Sequence, residues 1–371
     1  MRIKKGIYTI DTMKRGLVVI YDPHALVQFL QLYCMQDYEA EWDALCLPKE
    51  NGKEEMSLYC KRTNIFSNIY KDDIEYIKLP LVNKVMLFLD MFFHALIGKK
   101  RRFFEKHMNN YVPDVKKYDI FVGNTESGFI TGMLALMAPE KEVVYFEDGT
   151  ADYWIYRKKW KSILKNPFDN LQAVIMARLG YFGKGYTWLE STKNTVKYCS
   201  NKGELFYKNF REIREFDLSY EENREYRKLI KEVYPELEEI PIDQESVIVF
   251  TIPNDFNYDE WDEYVRIFID HICRNAKKLI LKCHPRDDYN AYQFPDSVNV
   301  YVVPRDIPGE LLLDLSDSND CYLMSADSMV LSMGARHNSV HILYNSQSDT
   351  EVMTDLCKRF LGDNYTFERL I

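Results

Sequence analysis

At 371 residues the chain is longer than one hydrophobic core usually grows, and its 46% apolar and 14% aromatic content can fill two domains and excludes a disordered chain. Its net charge of -9 excludes a broad nucleic-acid footprint, which needs clustered Lys and Arg to displace counterions. The eight cysteines are scattered without a Cys-x-x-Cys pair, which excludes the usual zinc spacings and predicts reduced thiols packed as small hydrophobes in a cytoplasmic protein.

Residues 1–10 hold no apolar stretch ahead of a cleavage site, and no segment reaches the ~20 apolar residues of a spanning helix. The chain is therefore expected to stay on the side of the membrane where it is made. Residues 16–21 form a short apolar run, and Asp22-Pro23 then opens a helical pattern through Leu26, Phe29, Leu30 and Tyr33, with Pro at the first helical position. That is a strand feeding a helix, the first α/β unit. Residues 85–97 are mostly apolar and run directly into Lys99, Lys100, Arg101 and Arg102. One reading is a helix lying in the inner-leaflet interface with its cations on anionic lipid. The other, which Asp90 and His94 favour by interrupting the apolar surface, is a buried or homodimer-forming helix whose basic end suits the helix dipole.

A second strand is predicted at 118–122, followed by a loop from Gly123 to Gly128 and a helix over 129–137. A third strand, 142–146, ends on Glu147-Asp148-Gly149. Residues 157–237 are charged and mostly helical in pattern, and Pro235 and Pro241 bracket an acidic link. This divides the chain into domains at 1–238 and 239–371, with the last helix a candidate to cross back. Beyond it strands are predicted at 246–251, 278–282, 298–303, 321–324 and 340–344, with helices at 258–275 and, started by Pro308, at 309–315. Short runs this apolar are typical of doubly covered parallel strands. Two α/β domains facing one another fit the pattern.

In open parallel sheets ligands bind beyond the carboxyl ends of the strands. Four polar clusters fall there: Glu147-Asp148-Gly149, Pro253-Asn254-Asp255, His284-Pro285-Arg286 and Ser325-Ala326-Asp327-Ser328. Each alone has a plain explanation: an acid-acid-Gly turn, a satisfied surface His, a Ser helix cap. Their convergence at strand ends in two successive α/β halves is the argument for a site. Gly183-Lys184-Gly185 lacks the spacing of a phosphate-binding P-loop, and there is no Gly-x-Gly-x-x-Gly, which removes ATPase, kinase and dehydrogenase readings. The chain has no Asp-x-Asp, and His337 and His341 have no third ligand within reach by sequence, so neither a metal nor a cofactor is expected.

Residues 146–150 (FEDGT), the Pro253-x-Asp255 loop, His284-Pro285-Arg286 and Met324-Ser325-Ala326 resemble, in that order, the motifs of bacterial sialyltransferases, above all glycosyltransferase family 52. The resemblance covers residues 118 to 345. It implies the α/β GT-B fold, two Rossmann-like domains with parallel sheets facing a central cleft, the first on the acceptor side and the second binding the CMP-sugar. It further implies an inverting, metal-independent transfer of sialic acid from CMP-sialic acid to a galactose-type hydroxyl of a bacterial capsule or lipooligosaccharide. Under that resemblance Asp255 is the general base, with Asp148 the rival base, and His284 donates to the departing phosphate. Pro285, Arg286, Ser325, Ala326 and Ser328 then lie on the donor side, with Ser325 on the phosphate. Glu310 lies near the ribose or cytosine, where an acid at a helix start serves the dipole equally well. Asn124, Glu147 and Gly149 lie on the acceptor or sugar side, where Asn124 is as easily a turn residue. Two other functions stay open: a CDP-glycerol-type phosphotransferase of wall-polymer synthesis, and a non-catalytic glycan-binding protein of the same fold.

Overall fold

The structure of the protein is a computed structural model that describes residues 13–47, 56–71, 83, 86, 89–90, 93–94, 97–124, 140–147, 195–203, 205, 210–216, 223–252, 260–274, 276–284, 287–316, 319–324, 339–344 and 350–370. Its first strand, β1 (Lys14–Ile20), is buried from Gly16 onward, as a central strand covered on both faces must be. It passes directly into α1 (Pro23–Met35). Asp22 caps this helix by accepting from the Ala25 amide at 2.8 Å, and Pro23 occupies the first turn, where its missing N–H leaves no bond unmade.

The remaining strands of the first sheet are β2 (Ala40–Cys46), β3 (Phe66–Lys71), β4 (Ile120–Asn124), β5 (Glu142–Phe146), β6 (Val196–Cys199) and β7 (Glu212–Glu215). All pair in parallel in the order β3-β2-β1-β4-β5-β6-β7. Val18 of β1 stands in register with Ala44 on one side and Val122 on the other. Gly16 is fixed by a close approach rather than by a turn: a methyl group there would sit 2.3 Å from the ring of Trp42, which is buried and edge-on to Phe29. A Gly16→Ala variant is therefore expected to unfold at lower urea concentration, with a loss of about 1–3 kcal/mol from overpacking. An unchanged midpoint would mean that the Trp42 ring can give way.

The helices on this sheet include α2 (Met56–Arg62), α3 (Lys100–Met108) and α4 (Arg224–Val233). Here the sequence reading is corrected. Within the region read as mostly helical, β6 and β7 are strands, while residues 151–194 lie outside the described residues. Both strands are only four residues long, and β7 is a charged edge (EIRE), so neither carries a usable period-2 signal. The predicted helix at 129–137 also lies outside the described residues.

A 3-10 helix, Pro235–Glu239, leads from α4 toward the second sheet. That sheet contains β8 (Ser246–Phe250), β9 (Lys278–Lys282), β10 (Asn299–Val302), β11 (Cys321–Leu323), β12 (Val340–Tyr344) and β13 (Tyr365–Arg369). Its order is β10-β9-β8-β11-β12-β13, all parallel. Its helices are α5 (Trp261–Cys273), α6 (Glu310–Asp314) and α7 (Thr350–Leu361). The sixth strand, β13, is absent from the sequence reading because it is a half-exposed edge strand of mixed polarity. Just before it, Phe360 of α7 packs on Cys199 and Leu205 of the first domain.

In each sheet the chain runs outward from a central strand, then returns to that strand's other side and continues the opposite way, which is doubly wound Rossmann topology. One core cluster runs through both halves. It joins Leu26, Tyr59 and Tyr234 to Ile307, Leu311 and Leu312, while a second cluster lies between the other face of the second sheet and α5.

Candidate functional site

The topological switch points lie between β1 and β4 in the first sheet and between β8 and β11 in the second. Chain leaving the carboxyl ends of these strands diverges to opposite faces and opens a crevice for ligands. At the first switch point β1 delivers Asp22, Pro23 and His24, and β4 ends on Asn124, which is fully buried. The neighbouring strand β5 delivers Glu147, also fully buried. Around Glu147 the backbone carbonyl accepts from Asn124 Nδ2 at 2.9 Å and from Gln28 Nε2 at 3.1 Å. Its carboxylate accepts from the Ser200 amide at 3.0 Å and from the Ser200 hydroxyl. Lys197, a lysine inside β6, donates to the Phe146 carbonyl at 2.8 Å. A buried carboxylate and amide are thus held at the ends of two adjacent strands, with the Lys197 side chain reaching the Phe146 carbonyl from within the next.

His24 reaches across to the other domain. Its Nδ1 bonds the carboxylate of Glu310, which stands in the first turn of α6 and is buried. Burial alone would drive the imidazole toward its neutral form. The charge and hydrogen bond of Glu310, with Asp22 and Glu147 nearby, outweigh it and raise the His24 pKa to about 9. Burial would likewise raise the Glu310 carboxyl, and the His24 cation overrides it, holding Glu310 below its ordinary value. The pair is therefore an imidazolium and a carboxylate, buried together. Beside it, His24 Nε2 and Gln28 Oε1 are buried and have no hydrogen-bond partner among the described residues. A second bond between the domains joins the Tyr59 hydroxyl to Asp306, and Arg62 covers the Tyr59 ring at 4.8 Å.

In the second sheet His284 comes after β9 and is half-buried. Its backbone is pinned at both ends: its amide donates to Thr251 Oγ1 at 3.2 Å, and its carbonyl accepts from the Asp287 amide at 2.9 Å. Thr251, at the end of β8, donates to the Asp287 carboxylate, which also accepts from the Tyr292 hydroxyl at 2.6 Å. The Arg305 guanidinium donates to the Asp287 carbonyl at 2.8 Å. Burial raises the Asp287 pKa, opposed by the Thr251 and Tyr292 hydroxyls. Lys282 Nζ donates to the Arg305 carbonyl at 2.9 Å. The turn carrying His284 is therefore built on a buried Thr-Asp-Tyr cluster.

Among the candidates read from sequence, Glu310 bonds His24, Glu147 acts on it through its charge, Asn124 bonds the Glu147 carbonyl, and His284 lies at the end of β9. Asp148, Gly149, Asp255, Pro285, Arg286, Ser325, Ala326 and Ser328 lie outside the described residues. Sequence reasoning missed His24, Gln28, Thr251, Asp287 and Tyr292. His24 did carry a signal, since it stands just beyond the first strand as His284 stands just beyond β9. The Asp22-Pro23 cap signal explains how the helix starts and is silent on the side chain next to it.

No protein-family profile and no curated protein matches the chain. Solved structures do match it over nearly its whole length. The sialyltransferase of Photobacterium damselae, residues 113–497 corresponding to the GT-B domain, is 13% identical, with 95% of this chain and 99% of that one covered at a TM-score of 0.50. Arabidopsis thaliana UGT89C1, solved with UDP-L-rhamnose, is 13% identical, with 96% and 86% covered at a TM-score of 0.50. The UDP-GlcNAc 2-epimerase of Methanocaldococcus jannaschii is 9% identical, with 97% and 89% covered at a TM-score of 0.50. Identities this low speak for the fold alone. Two parallel Rossmann sheets, joined through a shared core and a buried ion pair between their carboxyl ends, make this a two-domain α/β protein of the GT-B fold.

Proposed function

We propose that the protein is a glycosyltransferase using a nucleotide-activated sugar, and specifically an inverting sialyltransferase with CMP-sialic acid as donor and a galactose-ended bacterial surface glycan as acceptor. The observation that carries the reading is the meeting of strand ends. His24 from the first sheet pairs with Glu310 from the second, the charge of Glu147 acts on His24, Asn124 holds the Glu147 backbone, and His284 is held at the end of β9 in the second sheet. The narrower assignment rests on the resemblance of residues 118 to 345 to family 52.

In this reading the acceptor hydroxyl attacks the anomeric carbon while the bond to the CMP phosphate oxygen breaks. Asp255 or Asp148 takes the hydroxyl proton, and protonated His284 donates to the departing phosphate. Ser325 is the residue assigned to that phosphate. A monophosphate leaving group carries little enough charge for protein donors to stabilise it, and the reading uses no metal.

Thermal melting with a panel of CMP, CDP-glycerol and UDP tests donor choice. A ligand at 100 times its Kd stabilises by ~2.7 kcal/mol, so CMP is expected to raise the melting temperature and the other two are not. Stabilisation by CDP-glycerol alone would transfer the assignment to a phosphotransferase. Stabilisation by UDP alone would move it toward the uridine-diphosphate sugars named for the plant protein and the epimerase of the same fold. Glycan binding with no nucleotide response would leave a non-catalytic protein.

A further inference from the structure

Residues 83, 86, 89, 90, 93 and 94 are helical and Ile97 lies in a turn, and Met86, Leu89, Phe93 and Ile97 face solvent with exposures of 61%, 39%, 59% and 60%. At spacings of three and four, Met86, Leu89 and Phe93 fall as an apolar stripe on one helical face, with Ile97 following four positions on. Asp90 and His94, which interrupt the apolar run in sequence, sit at its edge and turn toward α3. Asp90 accepts from Lys106 Nζ at 2.7 Å and from His107 Nε2 at 3.0 Å, and the His94 ring lies 6.0 Å from that of buried Phe103. The polar residues thus fix the helix to the protein, and the apolar stripe faces outward.

After this segment Gly98 has a φ of +68°, which lets the chain reverse. The Lys99 amide bonds the His94 carbonyl at 2.7 Å, and the Ile97 amide bonds the Phe93 carbonyl at 3.1 Å. This turn sets the basic run against the end of the stripe. Lys99 and Arg102 are exposed and form no ion pair among the described residues. Arg101 is held by Glu105 and Glu140, and Lys106 by Asp90. Between residues 83 and 108 six Lys and Arg stand against two acids, in a chain whose net charge is -9.

We infer that this face docks on an anionic lipid surface, with Met86, Leu89, Phe93 and Ile97 entering the acyl boundary and Lys99 and Arg102 resting on the headgroups. Charge complementarity selects lipid over a second copy, because self-association through this face would bring two clusters of the same sign together. Among the described residues no helix is long and apolar enough to cross a membrane. The inference is independent of the donor and of the reaction.

Co-sedimentation of the full chain with vesicles of phosphatidylglycerol and phosphatidylethanolamine, against phosphatidylcholine alone, tests it. Binding is expected only to the anionic vesicles, weakening steeply in high salt. Each exposed cation at such a surface is worth about five-fold in partition, so Lys99→Glu with Arg102→Glu is expected to weaken binding about 25-fold or more. Phe93→Ser with Ile97→Ser is expected to weaken it at least ten-fold. Both pairs lie on the surface, and unchanged thermal melting checks that they fold. Absence of binding to anionic vesicles, or binding that neither pair weakens, would overturn the inference. So would a concentration-dependent dimer abolished by Phe93→Ser in analytical ultracentrifugation, which would give the face to a second copy.

Discussion

A His24→Ala variant is expected to lose about 3–5 kcal/mol of stability at neutral pH, because it leaves the Glu310 carboxylate buried without its partner. The penalty is asymmetric. In Glu310→Gln the imidazole can shed its proton and return to the neutral form that burial favours, so that variant is expected to lose less. Replacing both residues with leucine removes both charges and is expected to be milder than His24→Ala alone. Chemical denaturation of the three variants measures the ordering, and a His24→Ala midpoint equal to wild type would refute the paired-charge account.

The pH dependence has a definite sign. The folded pKa of His24 lies above its ordinary 6.5, so its contribution is complete below 6.5 and is lost as pH rises through about 9. The Glu310 carboxyl lies below its ordinary 4.5, so its contribution is present above 4.5 and is lost as pH falls through its lowered value. The stability difference between wild type and His24→Ala is therefore expected to be greatest between those limits and to shrink above about pH 9. The pair bridges the two domains, so the same window should govern how firmly they are held together.

The second large effect is on turnover. His284→Ala is expected to reduce transfer from CMP-sialic acid by about 10²–10⁴-fold, the range for removing a positioned acid, with little loss of stability because the side chain is only half-buried. The Thr251-Asp287-Tyr292 cluster gives a control for positioning. It fixes the His284 backbone through the Thr251 hydroxyl at 3.2 Å and the Asp287 amide at 2.9 Å. Tyr292→Phe removes one donor to Asp287 and leaves His284 in place, so its loss of turnover should be far smaller than that of His284→Ala. Full turnover in His284→Ala would end the proposed role of this residue.

Much of the architecture was legible in sequence because its central strands are buried on both faces and therefore stand out as uninterrupted apolar runs. The predicted strands at 142–146, 278–282 and 340–344 coincide with β5, β9 and β12 to the residue. The start of α1 was legible for a local reason: an Asp cap with Pro in the first turn is a signal contained in two residues. Three of the four edge strands lacked any such signal, the exception being β10, whose Val-rich run shows in the predicted strand at 298–303. In β3, β7 and β13 one side of the ladder and much of the surface face solvent, so polar residues are tolerated and the pattern dissolves. In β2 a buried Asp43 breaks the apolar run. It is tolerable because Tyr118, Asn68, Lys117 and Arg15, distant in the chain, come to it at 2.5, 2.9, 3.4 and 3.7 Å.

The candidate site divides along the same line. Sequence alone determined that polar residues gather at strand ends in two α/β halves, because strand ends are set by local patterning, and it singled out Glu147 and His284 among them on that basis, while Asn124 and Glu310 came from the resemblance. Only the tertiary structure decided that Glu310 faces His24, 286 positions away in the chain, and that a Thr-Asp-Tyr cluster underlies His284. It also turned Asp90 and His94 onto α3 and left the apolar stripe beside them exposed. Hydrophobic periodicity records which face of a segment is buried. It carries no record of which distant charge is buried with it, and that pairing is what makes a buried His24 a cation.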